Sequence, residues 1–355
     1  MKLIKVSAPG KLHLLGEHAV VYGKPAIIAA IGKRCFVYIK NRSDKKINIS
    51  SESFGKSNNF TEKEIIDKTK KAQLNWEKYI ENNDILLLKS ITSDPLDFPA
   101  IIIGESLRYF KKKISSGFDL KIKSDIPIGS GMGSSAALSV AIAGGISIFL
   151  GEGLNKNVIN EIAFKSEQKK HGFPSGGDNS ASCFGGMIWY RKESPDLKII
   201  QKIPFEFPAK LSRNFYAIHT GIPSESTGEM VSIVRNLHSK RKNFVDGILS
   251  NQERLVVELL SAVKREDELE IINIIKNGER NLEKLGVVSD SAKLLIRSIE
   301  KNGEAAKICG AGGKKKGAGI VLVYSKHTEF VKSLAKFHNY KCINIYMGEE
   351  GFRKE

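Results

Sequence analysis

Asp125-Ile126-Pro127-Ile128-Gly129-Ser130-Gly131-Met132-Gly133-Ser134-Ser135 is the stretch on which the fold turns. Ahead of it, residues 118–123 alternate apolar and polar side chains as a strand does. Behind it, residues 136–150 form an apolar run broken by Ser139, Gly144, Gly145 and Ser147, which predicts a buried helix. Strand, glycine turn and buried helix in succession are the building unit of an α/β or α+β enzyme. Gly129, Gly131 and Gly133 permit unusual dihedrals and keep side chains out of the approach path. Backbone N–H groups can then turn inward as an anion nest, and the next helix adds the positive end of its dipole. Ser134 and Ser135 place hydroxyls where a phosphate oxygen or Mg²⁺ would be held. A plain tight turn with a serine N-cap suits the same residues, and the loop alone does not decide between the two. It is neither a G-x-x-x-x-G-K-[ST] loop nor a G-x-G-x-x-G fingerprint.

Outward from this loop, residues 3–7 alternate as a strand and Ala8-Pro9-Gly10 reads as a turn. Residues 20–31 and 35–39 read as strands around Gly23-Lys24-Pro25, and the polar stretch 41–75 as hairpin, loop or short helix. Residues 99–111 and 157–168 carry helical spacing, 172–186 is glycine-rich, and 187–191 is a strand. Pro195, Pro204 and Pro208 mark residues 192–210 as a linker. Beyond it, strands are expected over 215–219, 320–324 and 342–347, with 342–347 as the last. Helices are expected over 228–239, 244–264, 267–285, 289–301 and 327–337, and a second glycine-rich loop over 310–319. At 355 residues the chain exceeds one hydrophobic core, so two lobes are expected.

Composition narrows the class. Hydrophobic residues at 41% and charged residues at 27% suit a folded soluble protein. The net charge of +17 and pI near 9.5 favour anionic partners. The lysines fall in short clusters, including Lys45-Lys46, Lys169-Lys170 and Lys314-Lys315-Lys316, without the spacing of a zinc finger, an RNA-recognition motif or a basic zipper. A solvated lysine-rich surface that draws in anionic metabolites is the reading, and nucleic acid is not the expected partner. Cys35, Cys183, Cys309 and Cys342 lie far apart with no C-x-x-C pair, so neither a zinc site nor a disulfide framework is suggested and a reducing compartment fits. No apolar run reaches the roughly 18 residues of a membrane span, and residues 1–11 lack the apolar core of a secretory signal. A cytoplasmic location is therefore expected.

Two further segments carry chemistry. Glu167, near the end of a predicted helix, and Asp178, in the loop Pro174-Ser175-Gly176-Gly177-Asp178, are candidate carboxylates for a hard cation or for proton work. Lys11 follows a strand and turn. A lysine beside Asp178 would keep that carboxylate ionised. Taken singly, each is also an ordinary surface charge. His13 is read as structural.

Together these segments resemble the GHMP kinases, most closely the mevalonate kinases. The resemblance rests on APGKLHLLGEHAVVYGKPA (8–26), DIPIGSGMGSSAA (125–137), EQKKHGFPSGGDNSASCFGG (167–186) and ICGAGGKKKGAG (308–319). It implies two lobes, a ribosomal-protein-S5-like N-terminal lobe (residues 1–204) and a ferredoxin-like C-terminal lobe (205–355), with the active site between them. It implies ATP over Pro127, Gly129, Gly131, Met132, Gly133, Ser134, Ser135 and Ala136, and Mg²⁺ on Ser135 (or Ser134) and Glu167. Asp178 would be the base or charge partner with Lys11 beside it, Glu17 and His18 would lie in the substrate pocket, and Thr220 would contact substrate or Asp178. The implied activity is phosphorylation of mevalonate by ATP, and a homodimer is an open expectation. Phosphomevalonate, homoserine or a sugar are alternative acceptors, and a non-catalytic ATP- or nucleic-acid-binding module is the alternative outside enzymes. One departure stands out: family members usually follow the third glycine motif with small residues, whereas Lys314, Lys315 and Lys316 follow it here. They either clamp phosphate as point charges or point into solvent.

Overall fold

The computed structural model describes residues 3–82, 84–194, 197–315 and 317–355. The chain runs through β1 (Ile4–Leu15), a 3-10 turn (Ala19–Tyr22), β2 (Ala26–Asn41), β3 (Ile47–Ser51), β4 (Lys56–Phe60), α1 (Glu62–Asn82), α2 (Ile85–Ile91) and α3 (Asp97–Phe110). It continues with β5 (Phe118–Ser124), α4 (Ser134–Phe149), α5 (Lys156–His171), α6 (Gly177–Phe184), β6 (Met187–Lys192), β7 (Lys198–Lys202) and α7 (Ala209–Ser212). The remainder is β8 (Phe215–His219), α8 (Thr227–Lys240), α9 (Lys242–Lys264), α10 (Glu268–Lys284), α11 (Asp290–Glu300), β9 (Ala305–Cys309), β10 (Ile320–Tyr324), α12 (Thr328–Phe337), β11 (Lys341–Ile345) and β12 (Arg353–Lys354).

Among the described residues the strands form two sheets. The first runs β12-β1-β2-β5-β3-β4, with β6 on the N-terminal part of β2 and β7 beyond β6. The second is antiparallel in the order β11-β8-β10-β9. One apolar cluster gathers around Val6, Val37, Leu120 and Ile142 of the first lobe and also takes Phe215, Ala217 and Leu322 from one face of the second sheet; the other face of that sheet packs in a second cluster around Ile218, Val321, Leu295 and Ile308. Helices α9 and α10 join them. Leu255, Val256 and Ile271 pack into the first cluster, while Val245, Leu249 and Leu282 of the same helices pack into the second. The result is a two-lobed α/β molecule, as the sequence suggested.

Several local expectations give way. Pro9-Gly10 does not end the first strand: β1 continues to Leu15 and the register slips between Pro9 and Gly10, so β2 bulges at Gly32-Lys33. Proline lacks a ladder donor, and a bulge tolerates that where a regular ladder does not. Residues 20–22 are a 3-10 turn instead of a strand. The polar stretch 41–75 holds the β3–β4 hairpin and most of the 21-residue α1. That helix starts on a capping box in which Thr61 and Glu64 each bond the other's backbone N–H. The proposed linker contains β7, paired antiparallel to β6 in the first sheet, and Pro195 lies outside the described residues. The last strand is β12, which returns the chain end to β1. Phe352 just before it packs on α4 so closely that a Cβ at Gly144 would sit 2.1 Å from the ring. The extreme C-terminus is thus part of the first lobe's core.

Candidate active site

Strand β1 supplies the first side chains. Residues two apart on a strand share a face, and Lys11 and His13 both turn toward the first turn of α6. There Lys11 Nζ lies 2.9 Å from Asp178 Oδ2, and His13 Nε2 lies 3.5 Å from Asp178 Oδ1. Asp178 therefore stands on a helix N-terminal turn, where negative charge is favoured, and not in the loop expected from its glycines. Burial pushes its carboxyl upward, but Lys11 and His13 pull it down more strongly, so it sits below the usual carboxylate range.

The glycine loop is tied to the same strand. Lys11 N–H donates to the Met132 carbonyl at 2.9 Å. Gly129, Gly131 and Gly133 all adopt positive φ, at 70°, 78° and 74°. Gly133 is the position where glycine is required twice over, because a Cβ there would also lie 2.7 Å from Lys11 Cγ. Gly133 occupies the N-cap of α4 with no side-chain cap, so the serine-capped turn is not what forms. The first N–H groups of α4 thus have no capping side chain. Of the predicted loop residues, Gly129, Gly131, Gly133, Ser134 and Ser135 line the cavity described below. Met132 and Ala136 are buried in the core and Pro127 takes the Ser130 hydroxyl on its carbonyl, so these three contribute backbone and packing.

Ser135 reaches Glu167. Its Oγ donates to Glu167 Oε2 at 3.1 Å, Ser139 Oγ donates to Glu167 Oε1 at 2.9 Å, and His171 Nε2 lies 3.2 Å from Ser135 Oγ. Glu167 is buried in the last turns of α5. One carboxylate flanked by hydroxyls is a hard oxygen donor set, suited to a Mg²⁺ that keeps waters and phosphate oxygens as its other ligands. Among the described residues no cluster of three or more His, Cys, Asp or Glu offers a protein-only metal cage.

The opposite wall comes from the second lobe. Glu17 is buried against Lys307 of β9, which is itself fully buried, and Glu17 Oε2 has no hydrogen-bond partner among the described residues. Burial favours loss of the Lys307 proton, but Glu17 and its neighbours outweigh that and raise the ammonium above the ordinary lysine value. Behind the pair, burial pushes Glu279 up to about 8, while the Ile308 N–H donates to its Oε2 at 2.9 Å. His18 Nε2 lies 3.0 Å from the Ala311 carbonyl, and burial lowers its imidazole below the usual value. Thr220 was expected to face substrate or Asp178. In the structure its hydroxyl donates to the Gly319 carbonyl and accepts from Ala318 N–H, both at 3.0 Å, which ties it to the third glycine loop.

These groups share one cavity of about 1020 Å³ between the lobes, at the upper end of small-ligand pockets. Lys11, His13, Glu17, His18, Ser135, Glu167 and Asp178 all line it. Its lysines are Lys11 and Lys170, set against Glu17, Glu167, Asp178 and Glu225, so the large positive charge of the chain is a property of the outer surface and not of this cleft. Lys314 and Lys315 lie outside the lining, exposed, with their N–H groups on the Glu225 carboxylate; Lys316 lies outside the described residues. The solvent alternative therefore holds for the first two. Trimming Lys314 and Lys315 to glycine is expected to leave the ATP KM unchanged in steady-state assays; a raised KM would restore the clamp.

The sequence reading took His13 as structural, yet it lines the cavity beside Asp178, and it passed over Lys307, Ser139 and Glu279, which support site residues from outside the lining. Two had a usable signal: His13 is two residues from Lys11 on a strand, and Ser139 is one helical turn from Ser135. Lys307 and Glu279 had none, since their pairing crosses distant segments.

Residues 101–186 match the GHMP kinases N terminal domain. The chain is 33% identical to the mevalonate kinase of Pyrococcus furiosus over 88% of this chain and 87% of that one. In structure it resembles the Methanococcus jannaschii mevalonate kinase (TM-score 0.78, 22% identity, 98% of this chain and 99% of that one). It also resembles the L. major mevalonate kinase solved with R-mevalonate (TM-score 0.73, 19% identity, 98% and 96%). One-third identity across nearly the whole length of both chains, on a shared two-lobed fold, leaves a single conclusion: the chain belongs to the mevalonate kinase family of the GHMP kinases.

Proposed function

We propose that this protein transfers the γ-phosphoryl group of ATP to the hydroxyl of mevalonate. The observation that carries the reading is the 2.9 Å contact between Lys11 and Asp178 at the foot of the glycine loop, inside a cavity that both lobes line. Phosphoryl transfer leaves little covalent work to a protein, so positioning and charge dominate. Residues 1–204 carry the nucleotide and the reacting groups, and 205–355 complete the pocket. Backbone N–H groups from Gly129 to Ser135 cradle the phosphates. Ser135 and Glu167 hold Mg²⁺, which when bound neutralises phosphate charge. Asp178 orients the acceptor hydroxyl and Lys11 stabilises charge on the transferring group. Glu17 and His18 line the acceptor end, held from behind by Lys307 and the third glycine loop. Among the described residues no helix is long and apolar enough to cross a membrane.

The test is an ADP-release assay with Mg-ATP and a panel of mevalonate, phosphomevalonate, homoserine and galactose. Mevalonate is expected to give the highest kcat/KM. Faster turnover of another alcohol would reassign the acceptor. No release with any alcohol, together with salt-sensitive binding of DNA or RNA, would overturn the kinase reading.

A further inference from the structure

His13 is the group that the reaction scheme above does not use, yet it touches the residue at its centre. Its Nε2 is 3.5 Å from Asp178 Oδ1, on the oxygen that Lys11 does not take. Its Nδ1 is buried and has no hydrogen-bond partner among the described residues. A carboxylate oxygen only accepts, so the His13 nitrogen facing it is the one that carries a hydrogen toward it. Around the ring, β1 presents Lys11, α6 presents Asp178, β9 presents Cys309, whose Sγ donates to the His13 carbonyl at 3.3 Å, and β2 sets apolar Ile28 opposite. Asp178 is therefore the one acceptor within reach of that Nε2–H among these neighbours.

We propose that His13 is a positioning residue for phosphoryl transfer, the second jaw of a clamp in which Lys11 holds Oδ2 of Asp178 and His13 holds Oδ1. The proposal rests on the kinase reading and deepens it. A carboxylate held by one lysine pivots about its Cβ–Cγ bond and swings its free oxygen. Held at both oxygens by side chains from one strand face, it has one orientation. Each oxygen accepts more than one hydrogen bond, so Oδ1 retains capacity for a substrate hydroxyl. A 3.5 Å contact is long, as catalytic hydrogen bonds are before the reacting complex forms. The clamp adds no covalent step. The hydroxyl oxygen bonds the γ-phosphorus, its proton passes to the Asp178 carboxylate and on to solvent, the bond from that phosphorus to the β–γ bridging oxygen breaks, and ADP leaves with the electron pair.

The test compares His13→Leu, which has no donor, with His13→Gln, which keeps an N–H near the Nε2 position. With Mg-ATP and mevalonate, the leucine variant is expected to lose about ten- to a hundredfold in kcat, the usual effect of a small misplacement, at unchanged ATP KM. The glutamine variant should recover most of that loss. The acid limb of kcat/KM should move to higher pH in the leucine variant, because Asp178 loses one of the two groups that hold it ionised. Wild-type kcat with an unshifted limb in His13→Leu would overturn the clamp. Equal loss in both variants, tracking a lowered melting temperature, would also overturn it in favour of packing alone. Should the unaltered protein fail to turn over mevalonate, the kinase reading fails separately. The clamp is then judged by NMR titration of the Asp178 carboxyl: a raised pKa in His13→Leu supports it, and an unchanged one rejects it.

Discussion

Turnover by the Asp178→Asn variant is expected to fall by about a hundredfold or more in kcat, the scale on which positioned acid–base groups act. That loss corresponds to about 2.7 kcal/mol of transition-state stabilisation. Asparagine keeps the shape of the side chain and its place in the first turn of α6, but it removes the charge that Lys11 meets at 2.9 Å. The acceptor hydroxyl then loses its anionic partner, and the Lys11 ammonium, 8% exposed, loses its counter-ion. Because the nucleotide loop is held through the Lys11 backbone and not through Asp178, the ATP KM should stay near that of the unaltered protein. Lys11 and His13 outweigh burial and depress the Asp178 carboxyl, so it stays ionised through the neutral range and contributes no loss of activity between about pH 5 and 8. A thermal melt run in parallel separates loss of chemistry from loss of fold. Near-normal kcat in a folded Asp178→Asn protein would reject the assigned role.

The largest effect on stability is expected from Lys307→Met. The change strands the Glu17 carboxylate in a site where neither partner of the pair reaches water, and breaking a buried pair from one side costs about 3–5 kcal/mol. Urea unfolding followed by circular dichroism is the measurement. The double variant Lys307→Met with Glu17→Gln should recover much of the stability, since removing both charges also removes the desolvation penalty. Glu279 gives a companion signature. Its folded pKa of about 8 lies above the unfolded value of about 4.3, so its contribution is complete at acid pH and is lost as pH rises toward 8. Glu279→Gln should flatten that decline. A Lys307→Met protein as stable as the parent would show that the pair contributes nothing to holding the second lobe against β1.

The two predictions draw on different kinds of information. Asp178 and Lys11 are legible as candidates because each stands in a local pattern, a glycine-rich turn in one case and a strand end in the other. The first lobe's strands and the C-terminal helices were legible for the same reason, since apolar spacing reports which face of an element is buried. Local signals misled where a long-range contact outranked them. Pro9-Gly10 looks like a turn until β2 supplies a bulge to absorb it, and residues 192–210 look like a linker until β6 offers β7 an edge. Lys314 and Lys315 could not be placed from sequence, because the backbone that carries them is held by the Glu225 carboxylate from a distant segment.

From its amino acids alone, this protein is already an α/β chain long enough for two lobes, with motifs that resemble those of the GHMP kinases: glycine position, strand alternation, helical spacing and short motifs are local properties that any contiguous stretch carries with it. Tertiary structure alone decided that Glu17 answers to Lys307, that the Thr220 hydroxyl bonds the backbone of Ala318 and Gly319, and that His13 meets Asp178. Those contacts join residues up to 290 positions apart. At such separations the energy of an ion pair or a hydrogen bond is set by burial and by angstrom-scale distance, and neither quantity exists until the two lobes have closed around the cavity.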